Sequence, residues 1–116
     1  MHSYKELKVW QQSVDLAEVI YKLTKAFPDS EKFGLTSQMR RCSVSIASNI
    51  AEGAGRNSPK EFAVFLGYAY GSSCELETQM LIANKIDLID KVDKENFDSA
   101  IESIQKMIFS LKKTLK

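Results

Sequence analysis

Histidine, cysteine, proline and glycine are all scarce in this chain, and each scarcity removes a class of fold or chemistry. The single histidine is His2, so the chain holds no histidine-based catalytic triad, and neither a histidine metal site nor a Glu-x-x-His di-metal bundle site is expected. The two cysteines, Cys42 and Cys74, fall inside helical patterns. They are expected as reduced, buried thiols, and without partner histidines they make no structural zinc site. Two prolines and five glycines in 116 residues favour long helices over many short strands. No apolar run reaches the ~18 residues of a membrane span, and MHSYKELKVW contains no signal-peptide core. No membrane contact and a cytoplasmic location are therefore expected. Charge of one sign is also missing: the net value is +1 and the pI about 7.7, against the basic excess usual in nucleic-acid-binding domains.

Helical periodicity is abundant. A length of 116 residues and an apolar content of 44% suit one domain, residues 1–116, with one core. The first pattern runs over about 5–27, with Leu16, Ile20, Leu23 and Phe27 on one stripe and Trp10, Val14, Ala17 and Tyr21 on a second. That face is wide enough to be covered on two sides. Pro28 is expected to end it. The second helix, about 35–53, carries Leu35, Met39, Cys42, Ile46 and Ile50 at steps of four and three. Small and polar residues (Ser43, Ala47, Ser48, Asn49, Ala51, Gly53) crowd that seam and suit close helix contact. Ser58-Pro59-Lys60-Glu61 predicts a third helix over about 59–86, with Ser58 and Glu61 capping each other. Its seam is Phe62, Leu66, Ala69, Ser73, Leu76, Met80 and Ala83. A fourth helix, about 93–115 with Asp93 as its cap, aligns Phe97, Ile101, Ile104, Ile108, Leu111 and Leu115. Short connections make this an all-α, antiparallel, up-down-up-down four-helix bundle.

Few residues point to chemistry. Glu75 and Glu77 lie on different sides of their helix, so they are no carboxylate pair. The Gly53–Arg56 turn lacks the Gly-Lys-Ser/Thr and the preceding strand of a phosphate loop, and a helix-to-helix turn is expected. Gly67 and Gly71 each cost up to about 1 kcal/mol in a helix interior. Close packing against the second helix or against another subunit would compensate, and both remain open. Arg40 and Arg41 either pair with Glu75 or Glu77, within or between subunits, or face a nucleic acid. Tyr68 and Tyr70 are core or interface residues, or platforms for bases. The last eleven residues carry Lys106, Lys112, Lys113 and Lys116 and no acid, a solvated helix end or a phosphate-contacting patch. No catalytic residue, metal ligand or cofactor is expected.

The motifs YKELKVWQQSVDLA, FGLTSQMRRCSVSIASNIAEGAGR and KEFAVFLGYAYGSSCELETQMLIA resemble the four-helix-bundle proteins encoded in intervening sequences of bacterial 23S rRNA genes, over nearly the whole chain. The resemblance implies a homo-oligomeric ring, a pentamer. Arg40, Arg41, Asn49, Glu52, Gly53 and Glu75 match the family's motif positions, none of which the motif assigns to catalysis. Accessory proteins of diversity-generating retroelements share the fold, are strongly basic, bind nucleic acid and partner a reverse transcriptase; a net charge of +1 departs from them. Two functions follow. One is an oligomeric bundle binding RNA weakly through Arg40, Arg41, Arg56, Lys106, Lys112, Lys113 and Lys116. The other is a protein-interaction scaffold that makes no nucleic-acid contact. In both, Asn49, Glu52, Gly53, Gly67, Gly71 and Glu75 form the packing or interface motif.

Overall fold

Apolar residues every three or four positions become four helices here because each can bury one stripe only against the others. The computed structural model describes residues 3–115; His2 and Lys116 lie outside the described residues. Helix α1 spans Lys8–Thr24, α2 Leu35–Ala54, α3 Pro59–Lys85 and α4 Lys91–Lys113, with short 3-10 turns at Tyr4–Glu6 and Asp29–Glu31. No strand occurs among the described residues. Each helix packs on its sequence neighbours and α1 closes against α4, while the backbones of the diagonal pairs stay more than 8 Å apart. The α2–α3 pairing is the most intimate and α1–α4 the loosest. The molecule measures 44 × 24 × 20 Å, its long axis set by the 27 residues of α3.

Cross-helix contacts fix the antiparallel order. Arg40 at the start of α2 reaches Thr24 at the end of α1. Ser45 of α2 meets Ser72 in the middle of α3 at 2.9 Å. Gln105 of α4 donates to Ser73 Oγ of α3 at 3.1 Å. All seven positions of the expected α3 seam are buried, as are Met39, Cys42, Ile46 and Ile50 of α2 and Phe97, Ile101, Ile104 and Ile108 of α4.

Three local expectations are corrected. The cap of α4 is Asp90, not Asp93: the Asp93 amide donates to Asp90 Oδ1 at 2.8 Å, which places Asp93 in the first turn, where a carboxylate suits the helix dipole. Helix α1 closes at Thr24, a turn before Pro28, with the Phe27 amide donating to the Thr24 carbonyl at 3.1 Å. Only half of the reciprocal cap on α3 forms. The Glu61 amide donates to Ser58 Oγ at 3.3 Å, but the Glu61 carboxylate turns to Arg56 at 3.5 Å.

The break between α3 and α4 turns on Asp87, which sits at φ 66°. The Leu88 amide reaches back to the Ala83 carbonyl at 2.9 Å and Ile86 to Ile82 at 3.0 Å. This is the C-terminal closure for which a left-handed residue is needed. Asn84 Nδ2 ties the loop by donating to the Ile89 carbonyl at 3.0 Å.

Candidate functional site

The basic residues divide by what already holds them. Arg40 is spent inside the subunit. Its Nε donates to Thr24 Oγ1 at 2.9 Å, its Nη2 to the Tyr21 carbonyl at 3.3 Å, and its guanidinium lies 4.7 Å from the Tyr21 ring centroid. It thus supplies a cation to the α1 C-terminus, where carbonyls lack helical partners. Arg56 lies between two carboxylates, Glu52 at 2.9 Å and Glu61 at 3.5 Å, and stacks 4.8 Å from the Phe65 centroid. Lys106 pairs with Glu102 at 3.0 Å. Arg41 is exposed and lines a cleft of about 320 Å³ with Gln38, Ser45, Ser72 and Glu75. Among the described residues neither Arg40 nor Arg41 forms an ion pair with Glu75 or Glu77 within the subunit: α1, not α3, claims Arg40.

Lys112 and Lys113 have no ion pair among the described residues. They rim a groove of about 450 Å³ between α3 and α4, floored by Leu66 and Ile108 and flanked by Tyr70 and Phe109. Lys113 Nζ stands 4.8 Å from the Phe109 centroid. These lysines sit on the α4 flank of α3 and Arg41 on its α2 flank. Arg40 and Arg56 are separated by about 24 Å along α2. The fold therefore does not gather the expected basic residues into one patch.

The packing motif divides in the same way. Gly53 is a true close-approach residue: a Cβ there would stand 2.7 Å from Phe65 Cβ and 2.9 Å from Phe62 Cδ1. Asn49 stays on its own helix, donating through Nδ2 to the Ser45 carbonyl at 2.9 Å and to Ser45 Oγ at 3.0 Å. Because Ser45 also meets Ser72, the three residues form a polar strap across α2–α3. Glu52 holds Arg56, and Glu75 is exposed on α3.

Gly67 and Gly71 do not pack against α2, one of the two readings left open by the sequence. A Cβ at Gly71 would meet nothing within 4 Å, and one at Gly67 only Lys112 Nζ at 3.8 Å. Both glycines face outward. Around them Val64, Tyr68, Gly71, Glu75, Thr78 and Ile82 follow steps of four and three on the exposed side of α3. Tyr68, at 56% exposure, and Tyr70 are therefore not core residues. Helix α3 has an apolar seam inside and a second, apolar-rich one outside. The second stripe of α1 is likewise open, with Val14 and Tyr21 more than two-fifths exposed, so the expected double coverage is not made within the subunit.

Sequence reasoning missed three features. Val64 and Leu81 were legible as apolar residues outside the α3 seam. Gln79 had no signal: it is buried, donates through Nε2 to Cys42 Sγ at 3.5 Å, and leaves its Oε1 without a partner. The third is a groove of about 410 Å³ between α1 and α4 with Asp15 and Asp93 on its rim.

Cys42 and Cys74 are free thiols. Burial pushes the Cys42 thiol above the ordinary range, against a smaller opposing effect of its Gln79 hydrogen bond. No group of three or more potential metal ligands comes together among the described residues. No helix among them is long and apolar enough to cross a membrane.

Known proteins agree with this architecture. The family model described as 23S rRNA-intervening sequence protein matches residues 5–110. The chain is also similar to the crystal structure, at 1.70 Å resolution, of a protein with unknown function from the S23 ribosomal protein family of Bacteroides thetaiotaomicron VPI-5482. The TM-score is 0.84 at 25% identity, covering 90% of this chain and 95% of that one. No curated protein matches the chain.

Proposed function

Because this chain belongs to the 23S rRNA-intervening sequence protein family, we propose that it acts as a non-enzymatic helical bundle that assembles with copies of itself into a scaffold. The observation that carries this reading is the outer face of α3. A helix apolar on both sides belongs in an interior, yet Val64, Tyr68, Leu81 and Ile82 are all exposed. The two glycines among them face outward with no neighbour from α2. Another subunit would bury that face and offset the helix stability the glycines forgo. The ring of five implied by the family resemblance is the form of assembly proposed.

Weak RNA binding is the second reading. It is favoured by the unpaired ammonium groups of Lys112 and Lys113, the exposed Arg41, and the rRNA setting in the family's description. A ring would repeat a weak patch and raise its avidity. Charge weighs against it, since Arg40, Arg56 and Lys106 are already engaged.

Light scattering on the purified protein gives the subunit count, and a monomer at every concentration refutes the scaffold. Fluorescence anisotropy with a structured rRNA fragment and a duplex DNA control, at two salt concentrations, tests the second reading. Binding that weakens with salt would report neutralised phosphates. Absence of binding at low salt by folded, oligomeric protein leaves the scaffold alone.

A further inference from the structure

The two grooves beside α4 are opposite in charge and lie on opposite flanks. Toward α1, in the N-terminal half of α4, Asp15 and Asp93 stand over an apolar floor that includes Leu16, Val19 and Phe97. Neither carboxylate is in an ion pair among the described residues, and Val19 is 44% exposed. Toward α3, in the C-terminal half of α4, Phe109 projects at 58% exposure with Lys113 Nζ over its ring and Lys112 alongside. Phe109, Lys112 and Lys113 thus form a ridge with an apolar body and two cationic ends. Its complement is an apolar cleft with two carboxylates at the rim, and the α1–α4 groove of the same chain is one.

We propose that the Phe109–Lys113 ridge of one copy seats in the Asp15–Asp93 groove of the next. This rests on the self-assembly reading and names the surfaces that carry it. The ring enters the cleft beside Val19 and Phe97, removing its exposed face from water. The ammonium groups meet the carboxylates in a partly dehydrated rim, where ion pairs are screened less than on an open surface. Because the ridge and the groove are on different flanks of α4, a docked pair retains one free groove and one free ridge. Such a contact is heterologous and propagates until a ring closes. Gly67, whose Cβ position lies 3.8 Å from Lys112 Nζ, adjoins the ridge and lets the incoming subunit approach α3 closely.

Charge reversal tests the pairing. Lys112→Glu/Lys113→Glu and, separately, Asp15→Lys are compared with the unaltered protein by light scattering across a dilution series. Asp15 is mid-helix and caps nothing, and circular dichroism confirms that each variant is helical. Each change is expected to weaken assembly at least tenfold, and the chain carrying all three to regain part of that loss, the Asp93 carboxylate being left in the rim. Unaltered assembly in either separate variant overturns the pairing while leaving self-assembly intact. No recovery in the combined variant overturns it too, since the groups then do not face each other. If the lysine variant assembles normally but loses affinity for the rRNA fragment, the ridge serves phosphate instead. A monomeric unaltered protein removes the self-assembly reading itself, and the pairing with it.

Discussion

Replacing Gly53 by alanine sets two opposed effects against each other at one buried position. Alanine is favoured over glycine in a helix by about 1 kcal/mol. Its methyl group, however, would stand 2.7 Å from Phe65 Cβ, 2.9 Å from Phe62 Cδ1 and 3.4 Å from the Phe62 carbonyl oxygen. Carbon atoms attract best at about 3.5–4.0 Å, so the closest contact is short by about 0.8 Å. Phe65 Cβ is tied to the α3 backbone and cannot rotate away, so α2 and α3 must part there. Overpacking costs about 1–3 kcal/mol, and a contact this short against a Cβ takes the upper part of that range, about 2–3 kcal/mol. The clash therefore exceeds the propensity gain, and Gly53→Ala should lower stability by about 1–2 kcal/mol. In thermal unfolding this is a fall of about 4–8 °C, read at fixed protein concentration because assembly raises apparent stability. Gly71→Ala is the control. Nothing lies within 4 Å of its Cβ position, so the fold of the subunit should gain about 0.5–1 kcal/mol. A Gly53→Ala protein as stable as the parent would refute the close-crossing argument.

Arg40→Ala should destabilise by about 1–2 kcal/mol through the loss of its charge-assisted hydrogen bonds and its packing on Tyr21; urea unfolding measures this, and RNA affinity should not change. Gln79→Met should be neutral or stabilising by up to about 1 kcal/mol, because it removes the unpaired Oε1 at similar volume; a clear loss in urea unfolding would show that the amide is satisfied. The Cys42 thiol titrates above its ordinary value because burial disfavours the thiolate. The unfolded chain therefore releases this proton first, and the contribution to stability is complete below pH 9.0 and lost as pH rises toward the folded value. Cys42→Ala should flatten the decline in Tm above that pH. In the native protein a thiol reagent should modify half-buried Cys74 well before Cys42.

Much of the fold was legible because burial leaves a periodic trace. The seams of α2, α3 and α4 were read correctly, since only residues at steps of three and four reach a common interior. The Ser58-Pro59 start of α3 was legible because it depends on neighbouring residues alone. The cap of α4 was misplaced by three positions: Asp90 and Asp93 are both suitable residues, and which one leaves the helix depends on how the Asp87 turn aims the chain. The candidate site was far less legible. A guanidinium has the same local signature whether it closes a helix end, as Arg40 does, lies between two glutamates, as Arg56 does, or stays free, as Arg41 does.

By itself the sequence determined the number of helices, their order and their inward faces, because these follow from the spacing of apolar residues and from local breaks. Tertiary structure alone decided which small and charged residues are engaged. It put Gly53 under Phe62 and Phe65, left Gly67 and Gly71 bare, and placed an acidic groove and a cationic ridge on opposite flanks of α4. The physical reason is that contact partners lie far apart along the chain. Their meeting depends on how each helix is rotated against its neighbours, which no local pattern of residues encodes.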